Sequence, residues 1–279
     1  MVQRFSEPDG TFNPKGDYRS DNLVSNERSL QQIIPALLQA RRSGVYLGVG
    51  PEQNFTYITA LEPSIAFVID IRRENLLLHL MYKALAEESA DRVDFLSRLF
   101  ARARPSGLGP NSSIESIFAA FERSPRSAEL GQHTLRTIVQ RLEDTHGFQL
   151  SPEHETGIAA VYLKFREAGP GIRWDPTGGS WIPSYAELMA QADPQKLQRS
   201  YLAPEEMFQV FRRYQLRNRI VPVVGDFGGA TTLPAVSRYL ASHGTVVAAF
   251  AAGARPVKSP KSRACGRVGC RRDYSSVVA

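Results

Sequence analysis

The sequence predicts an α/β domain built on a parallel sheet and interrupted by a helical insertion. Residues 44–70 read as a strand, a glycine turn, a helix and a second strand that ends on Asp70. Helical periodicity follows at residues 76–100, and further apolar runs at 218–227 and 245–250 flank a helix. Alternating strands and helices are typical of parallel α/β sheets. The alternation breaks between about 101 and 205, where no strand is convincing, so this section is interpreted as the helical insertion.

The chain divides into three parts on composition. Residues 1–21 lack periodicity and predict an extended N-terminal arm. Residues 22–250 form the predicted α/β domain with the insertion inside it. Residues 251–279 are rich in Ala, Gly, Arg, Pro and Ser and predict a disordered basic tail. A second interpretation of the tail is a reading-frame change, because composition switches directly after the last predicted strand.

Charge and cysteine content restrict the function classes. The net charge is +6, and the tail alone supplies it with seven basic residues and one acid, which leaves 27 basic and 27 acidic residues elsewhere. Nucleic acid is therefore expected as a partner only through the tail. Both cysteines, Cys265 and Cys270, also lie in the tail. Thiol catalysis and structural disulfides are thus excluded from the domain.

Hydropathy indicates an ordinary globular protein. Hydrophobic residues make up 42% of the sequence and charged residues 22%. The N-terminus has no apolar signal core, and no run approaches the roughly 18 apolar residues of a membrane span. We expect a cytoplasmic protein with no membrane partner.

The glycine turn after the first strand is the main candidate site. Gly48 and Gly50 are followed by Glu52, Gln53 and Asn54 at the start of the predicted helix. Glycines after a strand allow a ligand to approach the backbone, and polar groups at a helix start can contact it. The alternative is a plain turn whose polar residues cap the helix.

Acidic residues at two strand ends support a site at the same edge of the sheet. Asp70 ends the second predicted strand 20 residues after Gly50, and Gly225-Asp226 ends the third. Ligands of open α/β sheets bind beyond the carboxyl ends of the strands. If the three strands adjoin, Gly50, Asp70 and Asp226 line one edge. The alternative role of Asp70 is to cap the helix that starts near Arg72, a residue also predicted to contact the ligand.

Other polar and aromatic residues carry weaker predictions. His79 lies on an apolar helix and is expected in the core or at its boundary. Glu153, His154 and Glu155 are adjacent and point to different helix faces, so with His133 and His146 they predict no metal site. Three aromatic residues flank Gly178-Gly179 and form either a wall over a pocket or packing for the insertion: Trp174, Trp181 and Tyr185.

The segments VYLGVGPEQN, FVID and NRIVPVVGDF resemble the S-adenosylmethionine-dependent methyltransferase fold, which is Rossmann-like. The resemblance implies that Gly48 and Gly50 face the methionine part of S-adenosylmethionine, that Asp70 binds the ribose and that Asp226 lies near the adenine. The chain is also similar to an uncharacterised bacterial family with VGxxQNFTYI and DIRR segments. The methyltransferase sheet has seven strands, whereas the predicted strands stop near Phe250, so a C-terminally truncated sheet is expected.

These observations lead to two functional hypotheses. The first is an S-adenosylmethionine-binding, methyltransferase-like protein that acts on an unidentified small acceptor. No catalytic base is assigned, because methyl transfer depends mainly on alignment of the acceptor. The alternative is a non-catalytic α/β binding protein with a degenerate nucleotide pocket. A nicotinamide-dependent oxidoreductase ranks third, because the third glycine of the dinucleotide fingerprint is missing.

Overall fold

The computed structural model describes residues 1–11, 22–40, 43–175 and 182–251, together with the backbone of 277–278. It confirms the α/β class and the parallel sheet. Four parallel strands lie in the order β3-β2-β1-β4, and their bounds are β1 Val45–Gly48, β2 Ile65–Asp70, β3 Ile220–Val224 and β4 Val247–Ala251. A two-residue strand, β5 Val277–Val278, pairs antiparallel with β4.

The carboxyl ends of β1, β2 and β3 adjoin, which is the condition on which the predicted site at one edge of the sheet depends. Gly48 of β1 lies opposite Val68 of β2, and Asp70 of β2 lies opposite Val224 of β3. The chain runs outward from β1 through β2 to β3 and then returns to place β4 on the other side of β1. The point where the strand order reverses therefore lies beside β1, where the glycine turn begins.

Eleven α-helices lie within the described residues, close to the predicted segments. Their bounds are α1 Val2–Phe5, α2 Ile34–Gln39, α3 Gln53–Leu61, α4 Arg73–Glu88, α5 Arg92–Phe100, α6 Ile114–Arg123, α7 Ala128–Gln140, α8 Pro152–Ala168, α9 Tyr185–Met189, α10 Glu205–Leu216 and α11 Thr232–Ser242. Short 3₁₀ segments lie at Leu30–Ile33 and Gly169–Gly171, and a π-turn at Arg141–Thr145 follows α7. Between β2 and β3 the described chain holds helices, turns and isolated bridges only, so the helical insertion is confirmed there.

The alternation of side chains along the strands divides the core into two layers. Tyr46, Ala66 and Val68 point into the larger cluster, which α3, α4 and α10 cover. Val45, Phe67 and Ile69 point into the smaller cluster, which α1 and α11 cover. The sheet is therefore buried on both faces. The loops and the N-terminal arm cover part of its carboxyl edge.

Pro222 and Pro35 lie inside regular elements. Pro222 lies inside β3 with no register shift against β2, although proline is unusual in the interior of a strand. The edge position of β3 explains this, because an edge strand leaves one row of N–H groups without a sheet partner. Pro35 lies in the first turn of α2, which starts at Ile34, because proline is tolerated there.

The described part of the N-terminal arm packs tightly on the domain. Phe5 is 4% exposed and its ring stacks on Phe67 with centroids 5.9 Å apart. The Glu7 N–H donates to the Val224 carbonyl at 2.8 Å, and the Arg73 N–H donates to Asp9 at 2.6 Å. The arm thus crosses the carboxyl edge from β3 to the start of α4. Residues 12–21, and the tail residues 252–276 and 279, lie outside the described residues.

Glu7 fixes the arm through three backbone N–H groups of the β3–α11 loop. Its carboxylate accepts from Asp226 at 3.0 Å, from Thr231 at 2.9 Å and from Thr232 at 2.8 Å. These backbone hydrogen bonds lower the pKa of Glu7. The start of α11 is the positive end of the helix dipole, which adds to the attraction.

Within the described part of the chain, no helix has the length and apolar character needed to cross a membrane.

We expect Glu7→Gln to lower the free energy of unfolding by about 1 kcal/mol at pH 7. The folded-state pKa of Glu7 is lowered, so its contribution is present above the ordinary pKa of 4.5 and is lost as pH falls through the folded-state value. Urea unfolding of both proteins at a series of pH values measures this. A stability difference that stays constant into the acid range would contradict the assignment.

Candidate functional site

The glycine turn after β1 is held by one buried side chain, Asn54. Its amide nitrogen donates to the carbonyl oxygens of Val49 at 3.1 Å, Gly50 at 3.1 Å and Pro51 at 2.8 Å. Its amide oxygen accepts from the Tyr46 hydroxyl at 2.7 Å. Asn54 is 0% exposed, so both ends of the amide find their partners inside the protein.

Each glycine of the turn is required at its position for a different structural reason. A Cβ at Gly48 would overlap the Asn54 side chain and come 2.7 Å from the Tyr46 ring. Gly50 has a φ of +81°, a conformation that residues with a Cβ adopt with strain. Both glycines therefore serve the turn itself, whether or not a ligand approaches it.

Three buried hydrogen-bond acceptors, one on α3 and two on α4, have no partner among the described residues. The Gln53 amide nitrogen donates to Val49 at 2.9 Å, while its Oε1 is unpaired. His79 Nε2 lies 3.0 Å from the Gly50 oxygen, which requires the hydrogen on Nε2 and leaves Nδ1 as an unpaired acceptor. Asn75 Oδ1, one turn earlier on the same face of α4, is unpaired as well.

His79 is buried, as expected, but it contacts the glycine turn instead of only filling the core. Burial lowers its pKa to about 4, because the charged ring would lose its hydration. The ring is therefore neutral at pH 7 and keeps one acceptor nitrogen. Sequence reasoning missed this contact, since residues 50 and 79 are linked only by the packing of α4 over the sheet.

Glu52 is fully buried at the start of α3. Both carboxyl oxygens accept from the backbone N–H of Ser25, at 3.1 and 3.2 Å. Burial raises its pKa to about 8, because these hydrogen bonds compensate only part of the lost hydration. The side chain is thus protonated at neutral pH and can donate one hydrogen bond.

Asp70 ends β2 at the predicted place, but Arg72 occupies its carboxylate. The Arg72 backbone N–H, Nε and Nη2 donate to the two Asp70 oxygens at 2.9 to 3.2 Å. Arg72 Nη2 also reaches the Asn22 carbonyl at 3.4 Å, and the Trp174 indole donates to the Asn22 amide oxygen at 2.8 Å. The segment that begins at Asn22 therefore lies over this part of the edge.

Asp226 lies at the same edge but outside the buried group. Gly225, which precedes it, donates its N–H to the Asp70 carbonyl at 2.8 Å. The Asp226 side chain is exposed and accepts from the Gly228 N–H at 2.9 Å. Glu7 binds its backbone, so the N-terminal arm occupies this loop.

The insertion contributes buried tyrosines that the sequence did not single out as a group. The hydroxyls of Tyr185 and Tyr201 lie 2.5 Å apart, and the Tyr201 N–H donates to Thr56 of α3 at 3.3 Å. Burial raises the pKa of both tyrosines. Tyr185 thus packs the insertion, while Trp181 and Gly178-Gly179 lie outside the described residues.

Two of the three histidines considered as metal ligands have other side-chain partners. His154 completes a capping box with Ser151 at the start of α8. His146 Nε2 lies 2.8 Å from Glu87, whose other oxygen accepts from Lys83 at 2.6 Å. No group of three or more His, Cys, Asp or Glu side chains among the described residues is arranged to hold a metal ion.

Comparison with protein families gives one match. The family model of a domain of unknown function, DUF7790, matches residues 22–250. The chain belongs to the DUF7790 family. The match spans β1 to β4 and includes the helical insertion, so the insertion is part of the family domain. No curated protein matches the chain.

Glu52 and His79 give the DUF7790 domain a specific pH dependence. A raised carboxyl pKa stabilises the fold below pH 4.5, and that contribution is lost as pH rises towards about 8. The lowered His79 pKa acts in the opposite direction between about 4 and 6.5. Between pH 6.5 and 8 the effect of Glu52 is therefore the larger.

We expect the free energy of unfolding to fall from pH 6.5 to 8 with a slope of up to about 1.4 kcal/mol per pH unit. Glu52→Gln should flatten this slope, because an amide does not ionise. Chemical denaturation at fixed pH values measures the effect, and Glu129→Gln on the exposed face of α7 is the control. An equal slope in the wild type and Glu52→Gln would show that Glu52 does not cause it.

Proposed function

We propose that the DUF7790 domain of this chain binds S-adenosylmethionine at the carboxyl edge of the sheet and transfers its methyl group to a small acceptor. The observation that carries the proposal is a set of three buried acceptors that have no partner among the described residues. Gln53 Oε1 and His79 Nδ1 belong to side chains that contact the glycine turn, and Asn75 Oδ1 lies one turn before His79 on α4. An unsatisfied buried polar atom costs about 1–3 kcal/mol. A ligand that donates hydrogen bonds to these atoms would recover that free energy.

S-adenosylmethionine carries donors suited to such acceptors. Its α-amino group and its two ribose hydroxyls donate hydrogen bonds, and the predicted contacts place the amino acid part at the turn and the ribose at Asp70. The location agrees with the rule that open α/β sheets bind ligands where the strand order reverses, which here is beside β1. The order β3-β2-β1-β4 is compatible with a Rossmann-like sheet of the methyltransferase type, and this finer classification is part of the proposal.

Binding would require local opening. Arg72 would leave Asp70 for the ribose hydroxyls to replace it, and the segment around Asn22 would move with Arg72 because the two are hydrogen-bonded. The proposed reaction requires no side chain to act as a base, because methyl transfer depends on alignment of the acceptor with the methyl group.

A second candidate function is non-catalytic binding with a degenerate nucleotide pocket. The closed state of the edge favours it, because Arg72 holds Asp70 and the Ser25 N–H holds both oxygens of Glu52. In that case the domain would bind an adenosine-containing ligand weakly and support no methyl transfer.

We expect S-adenosylhomocysteine to bind the purified protein and Asp70→Asn to weaken that binding by about 1–3 kcal/mol, because the ribose hydroxyls lose their charged acceptor. Isothermal titration calorimetry measures the affinities. Asp226→Asn is the matched control, since it removes an exposed carboxylate from the same edge.

The result also separates the two functions. Absence of binding by S-adenosylmethionine, S-adenosylhomocysteine and NAD to a folded sample would overturn cofactor binding altogether. Preferential binding of adenosine, with no gain from the methionine part, would support the degenerate pocket. An unchanged affinity in Asp70→Asn would place the ligand elsewhere.

A further inference from the structure

A cavity lies away from the glycine turn, between the N-terminal arm, α4 and the loop before α8. Its volume is about 290 Å³. Its floor is apolar and consists of Leu76, Leu77 and Leu80 of α4 with Phe148 and Leu150 of the loop. We refer to this cavity as the α4 cleft.

The α4 cleft is independent of the candidate cofactor site. Arg73, Leu76 and Leu80 recur at helical spacing and form one stripe of α4. His79, which contacts the glycine turn, and Asn75 lie on a different face of the same helix. A ligand in the cleft would therefore contact none of the atoms that carry the proposed function.

The rim of the cleft holds a cation that has no counter-ion among the described residues. Arg73 is half-buried and lines the cleft. Its backbone N–H donates to Asp9, but its guanidinium forms no hydrogen bond or ion pair within the described chain. A guanidinium on an apolar floor is suited to a carboxylate, with which it forms two parallel hydrogen bonds.

Two other ionisable side chains line the rim. The Glu7 carboxylate accepts three backbone N–H groups of the β3–α11 loop, which directs its oxygens towards that loop. His154 Nδ1 accepts from the Ser151 N–H at 3.3 Å, and its Nε2 is unpaired among the described residues. The rim thus holds one carboxylate that is already hydrogen-bonded. It also holds one cation and one imidazole nitrogen that have no partner among the described residues.

We propose that the α4 cleft binds a small amphipathic carboxylic acid. The apolar part of the ligand lies on the leucine floor, and its carboxylate pairs with Arg73. The volume is at the low end of the roughly 300–1,000 Å³ that is typical of ligand pockets. A single ring or a short chain therefore fits, and a long fatty acid does not.

The experiment compares three probes of equal carbon skeleton on the full chain. These are 3-phenylpropionate, 3-phenylpropanol and 3-phenylpropylamine, and calorimetric titration gives their affinities. We expect the acid to bind at least tenfold more tightly than the alcohol, and the amine to bind most weakly. Absence of saturable binding by the acid, or equal binding of all three probes, would overturn the proposal.

The Arg73 variants test the contact itself. Arg73→Gln should reduce the affinity for the acid to that for the alcohol, and Arg73→Lys should restore only part of it, because ammonium cannot form the paired hydrogen bonds. Arg4→Gln is the control, since Arg4 belongs to the N-terminal arm that borders the cleft but does not itself line it. Unaltered binding of the acid by Arg73→Gln, or an equal loss in Arg4→Gln, would contradict the assignment.

Discussion

The Asn54 amide brings the carbonyl oxygens of Val49, Gly50 and Pro51 to one point and ties them to the Tyr46 hydroxyl. Three of these four hydrogen bonds are buried and the one to Val49 is partly buried, so their geometry decides how β1 turns into α3. They also decide the residue at position 48, because the Asn54 side chain occupies the space that a Cβ would need. The glycine pattern that suggests a nucleotide site is thus explained first by the turn, and evidence for a ligand has to come from other atoms.

Much of the fold could be predicted because its signals are local. The apolar runs of β1, β2 and β3, the glycine turn and the prolines at helix starts each lie within a few residues of the element that they define. The adjacency of the three strand ends was a condition of the predicted site, and the strand order meets it. Pro222 was harder to interpret, since only the strand order shows that β3 is an edge.

The candidate site was predictable in position and not in detail. Asp70 and the turn lie where the sequence placed them, but the Arg72 contact, the Ser25–Glu52 contact and the His79–Gly50 contact depend on the three-dimensional packing of distant segments. The segment that begins at Asn22 has no apolar periodicity, so nothing in its sequence indicated that it lies over the edge. The site was therefore predicted as open, whereas the described conformation is closed over it.

The balance of charge at the edge distinguishes between adenosine-containing cofactors. Glu52 and His79 are both neutral at pH 7, the first because burial raises its pKa to about 8 and the second because burial lowers its pKa to about 4. Arg72 is paired with Asp70, so the described residues around the turn present no unpaired cation to a pyrophosphate.

The unpaired atoms at the turn lead to the same distinction. Gln53 Oε1, Asn75 Oδ1 and His79 Nδ1 are all acceptors. Phosphate oxygens are acceptors as well and would be repelled by them, whereas amino and hydroxyl groups would be bound. In the proposed site, these acceptors therefore favour a cofactor that carries an amino acid in place of the pyrophosphate.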